Sequence, residues 1–160
     1  MDYQTTVSVD ETLEFKGKKE KKIFDQKPTS AFIGASWSAL LIAITSYCIG
    51  LWNADMQLNE KGYYFTILLF GLFSVISLQK AVRDKLEGIP ITEIYYSLSW
   101  FSTVASILLL VIGLWHADLF LSEKGFYGMS FLLSVFSAIA VQKNTRDIQY
   151  IEREKNEDKD

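Results

Sequence analysis

The chain is 160 residues long, 49% hydrophobic and 22% charged, with a formal net charge of −3. These averages suit an ordinary globular protein, but the charged residues are very unevenly distributed. Four runs contain no Asp, Glu, Lys or Arg, and each is long enough to cross a membrane: 28–54, 62–79, 94–117 and 125–142. This pattern excludes a soluble single-domain enzyme, a disordered chain and a nucleic-acid-binding module. Because the net charge is negative, no nucleic-acid partner is expected.

The sequence offers few residue types for site chemistry. Cys48 is the one cysteine, which excludes an intrachain disulfide and a cysteine-based metal cluster. His116 is the one histidine, which excludes a multi-histidine metal site. We therefore expect no cofactor, no metal and no catalytic residue.

In chain order, the sequence predicts a flexible cytoplasmic tail, a two-helix membrane repeat, a cytoplasmic linker, a second two-helix repeat and a second flexible tail. Their bounds are 1–30, 31–84, 85–93, 94–147 and 148–160. Both tails are charge-dense and lack sustained hydrophobic periodicity, which is typical of disordered segments. The predicted fold is an all-α polytopic membrane protein with four transmembrane helices, formed by two helical hairpins that are parallel repeats.

The four spans differ in length. As helices, Phe32–Trp52 and Ile94–Trp115 would each extend roughly 31 Å, whereas Tyr63–Gln79 and Phe126–Gln142 would reach about 26 Å. All four fall within the range that crosses a bilayer. The alternative is a soluble bundle of four core helices, but such helices should carry a polar stripe facing water, and none is present here.

The placement of basic residues predicts the orientation. Lysine and arginine concentrate in the N-terminal tail, the central connection and the C-terminal tail, whereas each short loop between paired spans holds one lysine. Because basic segments resist translocation, both termini and the central linker are expected in the cytoplasm.

An internal repeat relates the two halves at an offset of 63 residues. Across 50–84 and 113–147, 18 of 35 positions are identical. Each copy is one helix, a short loop and a second helix, so both copies enter the membrane in the same direction. They are parallel repeats, unlike the inverted repeats of many transporters.

The loop motif Gly-Leu-Trp-x-Ala-Asp-x-x-Leu-x-Glu-Lys-Gly occurs in both copies. We interpret its tryptophans as interfacial anchors, its glutamates as first-turn acids behind N-caps at Asn59 and Ser122, and its lysines as snorkelling cations. A periplasmic ligand site, or acid–base chemistry by the carboxylates, is the alternative. His116 aligns with Asn53, so we expect its role not to be shared between the copies. The candidate residues of this motif are Trp52, Asp55, Glu60, Lys61, Trp115, Asp118, Glu123 and Lys124.

A second shared motif, Gln-Lys-x-x-Arg-Asp, follows the second helix of each copy. It could bind anionic headgroups or a protein partner, and the alternative is a solvated helix end that satisfies the orientation rule. The candidates are Gln79, Lys80, Arg83, Gln142, Lys143 and Arg146.

Small residues recur at helical spacing in both copies. Because small side chains let membrane helices approach closely, we expect them to mediate packing, with a polar permeation groove as the alternative. The packing candidates are Ala39, Ala43, Gly71, Ser74, Ser102, Ser106, Ser134 and Ser137.

The two loops with Glu-Lys-Gly-(Tyr/Phe)-Tyr, together with Gln-Lys-x-x-Arg-Asp, resemble the YiaA/YiaB family and its two-helix domain over residues 30–147. This resemblance implies a multi-pass protein of the bacterial inner membrane. It implies no known biochemical activity and no catalytic residues.

The favoured functional hypothesis is a non-enzymatic membrane protein that acts through contacts with lipids, with further copies of itself or with another membrane protein. The alternative is a small-solute transporter or channel component that works as an oligomer. The spans carry no ionisable group of the kind that coupled carriers use, which weakens this alternative. A membrane enzyme would require Asp55, Glu60, Asp118 and Glu123 to converge in one cleft.

Overall fold

The computed structural model of the protein describes residues 27–157, and helix is the regular secondary structure of this part of the chain. The N-terminal tail expected over 1–30 lies, up to residue 26, outside the described residues. Four helices alternate in direction through the bundle. They are α1 (Ser30–Asn53), α2 (Leu58–Leu86), α3 (Glu93–His116) and α4 (Leu121–Glu157).

All four helices are long and apolar enough to cross a membrane. Only 17–33% of the residues in each apolar window are buried within the protein, and large apolar side chains such as Phe73, Phe101 and Phe136 lie on its surface. A soluble bundle would hide these side chains from water. The predicted all-α, four-span membrane architecture is therefore confirmed, and the soluble alternative is wrong.

The ends of the helices are defined by local capping. The Thr29 hydroxyl accepts a hydrogen bond from the Phe32 N–H at 3.2 Å, and the repeat-equivalent Thr92 does the same for Tyr95 at 3.4 Å. Thr29 and Thr92 therefore start α1 and α3 as N-caps. Helix α2 ends at Leu86, and Gly88 follows with a positive φ of 73° that lets the chain turn back into the linker.

The main packing partner of each helix lies in the other repeat. Helix α1 packs along α4, α2 packs along α3, and α2 also contacts α4 near the centre. The two helices of one repeat, α1 with α2 or α3 with α4, touch only slightly. The repeats are thus interlocked, with the second helix of each at the centre of the bundle.

Glycines and aromatic rings explain this interlocking. A methyl group at Gly50 would lie 2.6 Å from the ring of Phe126 and 3.3 Å from that of Tyr127. The repeat-equivalent Gly113 faces Tyr63 and Tyr64 in the same way, at 2.7 and 3.3 Å. The glycine of each copy thus receives the aromatic pair of the other copy, which accounts for the presence of both motifs in both repeats.

The core is an aromatic cluster centred on two repeat-equivalent residues. Tyr64 and Tyr127 stack with their ring centroids 6.1 Å apart, and Tyr47 meets Tyr127 edge-on at 5.5 Å. The Tyr47 hydroxyl donates a hydrogen bond to the Tyr64 carbonyl at 3.1 Å. The cluster also includes the buried Leu68 and Phe131 together with three further aliphatic residues, and it therefore fills the middle of the bundle.

The C-terminal segment differs from its prediction. The sequence predicts a flexible tail over 148–160, whereas α4 continues as one helix to Glu157. Its buried side chains Val141, Asn144 and Ile151, with the half-buried Ile148 between them, recur at spacings of three and four residues. This stripe keeps the extension packed on the rest of the protein, and its high charge density obscured the periodicity.

Candidate functional site

The predicted site residues lie at opposite ends of the bundle. We call the end that holds residues 54–62 and 117–125 the loop end. The end that holds residues 80–93 and 143–157 is the tail end. Helices α2 and α4 would extend about 43 and 55 Å, and both project past the hydrocarbon at the tail end.

At the loop end, the two motif glutamates close the starts of α2 and α4. Glu60 Oε2 accepts a hydrogen bond from the Gln57 N–H at 2.9 Å, and Glu123 Oε2 accepts one from the Phe120 N–H at 2.8 Å. Both carboxylates lie in the first helical turn, where the helix dipole favours them. The prediction that Asn59 and Ser122 are the N-caps is wrong, because each helix begins one residue before them.

The motif lysines close each loop. Lys61 Nζ donates to the Trp52 carbonyl at 3.1 Å, and Lys124 Nζ donates to the Trp115 carbonyl at 3.4 Å. Each contact satisfies a backbone carbonyl in the last turn of α1 or α3, where cations are favoured. Both indoles lie on the outer surface, 85% and 79% exposed, as interfacial tryptophans do.

His116 has the same role as Asn53, its repeat equivalent. The expectation that the two copies do not share this role is therefore wrong. The Asn53 side-chain amide donates to the Ile49 carbonyl at 2.8 Å, and His116 Nδ1 lies 2.9 Å from the Ile112 carbonyl. This contact requires the proton on Nδ1. Different residue types therefore serve one purpose, the capping of a helix C-terminus.

The four loop-end carboxylates are divided between two cavities. Asp55, Glu60 and Asp118 border a cavity of about 380 Å³ together with His116, between the start of α2 and the end of α3. Glu123 lines a separate cavity of about 280 Å³. Among residues 27–157, no group of three His, Cys, Asp or Glu side chains is placed to hold a metal ion. Three of the four carboxylates therefore share one cavity, and Glu123 lies outside it.

At the tail end, the second motif divides into inward and outward residues. Gln79 Nε2 donates to the Ile139 carbonyl at 3.2 Å and thereby links α2 to α4. Gln142 is half-buried and Lys80 is exposed on the surface. Arg83, Lys143 and Arg146 instead line one common cavity.

This tail-end cavity has a volume of about 790 Å³ and lies between the end of α2 and the extension of α4. Its lining includes four cations and two carboxylates, namely Arg83, Lys143, Arg146 and Arg153 with Glu87 and Asp147. Two of the cations are paired. Arg83 Nη2 lies 2.9 Å from Asp84 Oδ1, and Arg146 Nη2 lies 3.6 Å from Asp147 Oδ1.

The small residues lie at helix–helix contacts. Gly71 packs against the Phe131 ring of α4, with Ser106 of α3 beside it. Ala39 and Ser102 are half-buried. The buried members of the set are Ala43, Gly71, Ser74, Ser106, Ser134 and Ser137.

Sequence reasoning missed one buried polar pair. Asn144 Nδ2 donates to Ser36 Oγ at 3.2 Å and joins α4 to α1. The repeat equivalent of Asn144 is Ala81, which is fully buried. The comparison of the two copies therefore gave no signal for this position.

Comparisons with known proteins agree with this architecture. A family model described as the yiaA/B two helix domain matches residues 32–84 and again residues 95–147. The chain is 58% identical over 128 residues to the "Inner membrane protein YiaA" of Escherichia coli K12, covering 80% of this chain and 87% of that protein. It is 34% identical over 65 residues to the "Uncharacterized membrane protein YubF" of Bacillus subtilis 168, covering 40% of this chain and 75% of that protein. No solved structure matches the chain significantly.

Proposed function

The chain belongs to the yiaA/B two-helix-domain family, and on that premise we propose that it is a non-enzymatic inner membrane protein that acts by binding. Its partners are membrane lipids and either further copies of itself or another membrane protein. Both termini lie in the cytoplasm.

The filled centre of the bundle is the observation that carries this proposal. Tyr47, Leu68, Tyr127 and Phe131 are each at most 3% exposed, and their contacts fill the centre of a single copy, which leaves no path for a solute there. The charge-free runs supply no Asp, Glu, Lys or Arg for coupled transport, and His116, at the end of the third run, contacts the Ile112 carbonyl. Glu60 and Glu123 already accept hydrogen bonds at the starts of their helices, and Glu123 lies apart from the cavity that Asp55 and Asp118 border, which argues against acid–base chemistry by the four carboxylates together. The charged surfaces at the two ends are therefore left as the places where the protein can act.

Reconstitution into vesicles tests the binding function against transport. We expect proton, potassium and small-solute fluxes in proteoliposomes to equal those of protein-free vesicles. A flux that saturates with solute concentration would contradict the proposal. Analytical ultracentrifugation in detergent tests the second-copy partner, and a purely monomeric chain would leave lipid or a different protein as the partner.

The proposed orientation rests on the concentration of basic residues at the tail end. It is tested with single cysteines introduced as Gln57→Cys, Phe120→Cys or Lys85→Cys on a Cys48→Ser background, since all three positions are exposed. An impermeant maleimide added outside spheroplasts should label the first two and spare the third. Equal labelling of all three would refute this topology.

A further inference from the structure

We infer that the tail-end cavity is a binding site for a phosphate-bearing anion of the size of a phospholipid headgroup. This inference goes beyond the proposed function, because it names one ligand class and one place. The site depends on both repeats, since Arg83 comes from α2 and the remaining lining cations come from α4.

Helix α4 presents its part of the site as one continuous face. Lys143, Arg146, Tyr150 and Arg153 all line the cavity and follow one another at spacings of three, four and three residues. Residues at these spacings share a helix face. This basic face adjoins the buried stripe that fixes the α4 extension, so its cations are held on a packed helix.

The pairing of the lining cations leaves positive charge for a ligand. Arg83 is engaged by Asp84 and lies 3.8 Å from Glu87, while Arg146 is engaged by Asp147. Among the side chains that the structure describes, Lys143 and Arg153 have no acidic partner within ion-pair distance. An anion in the cavity would therefore meet two cations that have no ion-pair partner, at a site whose four cations and three carboxylates sum to +1. Phosphate oxygens form the strong charge-assisted hydrogen bonds that Lys and Arg favour.

The depth of the cavity indicates where the anion comes from. The charge-free run of α4 ends at Gln142, and Lys143 to Arg153 then spans about 15 Å along the helix axis. The headgroup layer of one leaflet is about 5–8 Å thick. Lys143 and Arg146 thus lie at headgroup depth, where basic pockets between helices bind anionic lipids.

The two repeats supply a matched pair of variants. Lys143 lines the cavity, whereas its repeat equivalent Lys80 is exposed and lies outside it. Lys143→Gln and Lys80→Gln remove the same charge from the same motif. Because both side chains are on the surface, neither change should affect folding, and circular dichroism checks this.

The experiment is a thermal unfolding titration of the full chain in a non-ionic detergent with phosphatidylglycerol, using phosphatidylcholine as the uncharged reference. We expect phosphatidylglycerol to raise the Tm of the wild type. The concentration for half of this rise should increase about fivefold in Lys143→Gln, about 25-fold in the double variant Lys143→Gln/Arg153→Gln, and less than twofold in Lys80→Gln.

A parallel titration with glycerol phosphate distinguishes the source of the anion. Stabilisation by the lipid alone identifies a membrane headgroup. Stabilisation by glycerol phosphate that is lost in the double variant identifies a soluble phosphate compound at the same site. Equal effects of Lys143→Gln and Lys80→Gln, or no Tm rise of the wild type with either ligand, would overturn the inference.

Discussion

The interlocked packing predicts that a single methyl group at Gly71 is costly. In Gly71→Ala the new carbon would lie 2.6 Å from Phe131 Cζ and 2.7 Å from Phe131 Cε2. Phe131 is 1% exposed, so its ring has no free space to enter. Overpacking of this kind costs about 1–3 kcal/mol, and we expect the free energy of unfolding to fall by that amount.

Unfolding in mixed micelles of increasing SDS content, followed by circular dichroism, measures this loss. Gly34→Ala is the matched control, because no atom lies within 4 Å of the carbon it adds, and its effect should stay within about 0.5 kcal/mol. Gly50→Ala should fall between the two, since the Phe126 ring that it meets is 43% exposed and can move outward. Equal stabilities of Gly71→Ala and Gly34→Ala would refute the close packing of α2 on α4.

A double variant tests the named contact directly. Phe131→Leu shortens the ring that Gly71→Ala meets, so the combined loss should be smaller than the sum of the two single losses. A coupling energy of about 0.5–3 kcal/mol is expected for residues in contact. If the losses in free energy of unfolding add exactly, the destabilisation by Gly71→Ala does not come from its contact with Phe131.

Three further predictions concern contacts that join the repeats or cap their helices. Asn144→Ala removes the buried hydrogen bond to Ser36 and should lower the free energy of unfolding by about 1–3 kcal/mol in the same SDS titration. His116→Asn should leave stability unchanged, because Asn53 caps the equivalent helix end, whereas His116→Ala should cost about 0.5 kcal/mol. A chain divided after Gly88 should yield halves that co-purify when co-expressed, since each half has its main contacts in the other. Recovery of either half as a stable monomer would contradict the interlocking.

The number and placement of the spans follow from the sequence because lipid imposes a simple rule. A charge in the hydrocarbon is expensive, so the charge-free runs mark the helices. Which helices pack together does not follow from the sequence. Small residues such as Gly71 and Ser106 indicate a close helix–helix contact but do not identify the neighbouring helix. Hairpin connectivity favours pairing within a repeat, and only the structure brings Gly50 to Phe126.

The sequence-based predictions of individual contacts were wrong where chemically different residues make equivalent contacts. Asn53 and His116 look unrelated in sequence, yet both reach back to a carbonyl of the preceding turn. Asn59 and Ser122 are good N-cap types, but the glutamates that follow them satisfy the N–H groups of earlier residues. The sequence predicted the two basic motifs at the tail end but not the cavity between them, because the cavity is formed in part by the α4 extension.

The two ends of the bundle preserve the internal symmetry to different degrees. At the loop end, the glutamate caps, the lysine-to-carbonyl contacts and the Asn53 and His116 caps recur in both copies. At the tail end the symmetry fails, because the chain turns at Gly88 after α2 whereas α4 continues to Glu157. Lys80 and Lys143 consequently have different surroundings. The tail-end cavity therefore occurs once in the described structure, and the proposed anion site rests on this difference between Lys143 and its repeat equivalent Lys80.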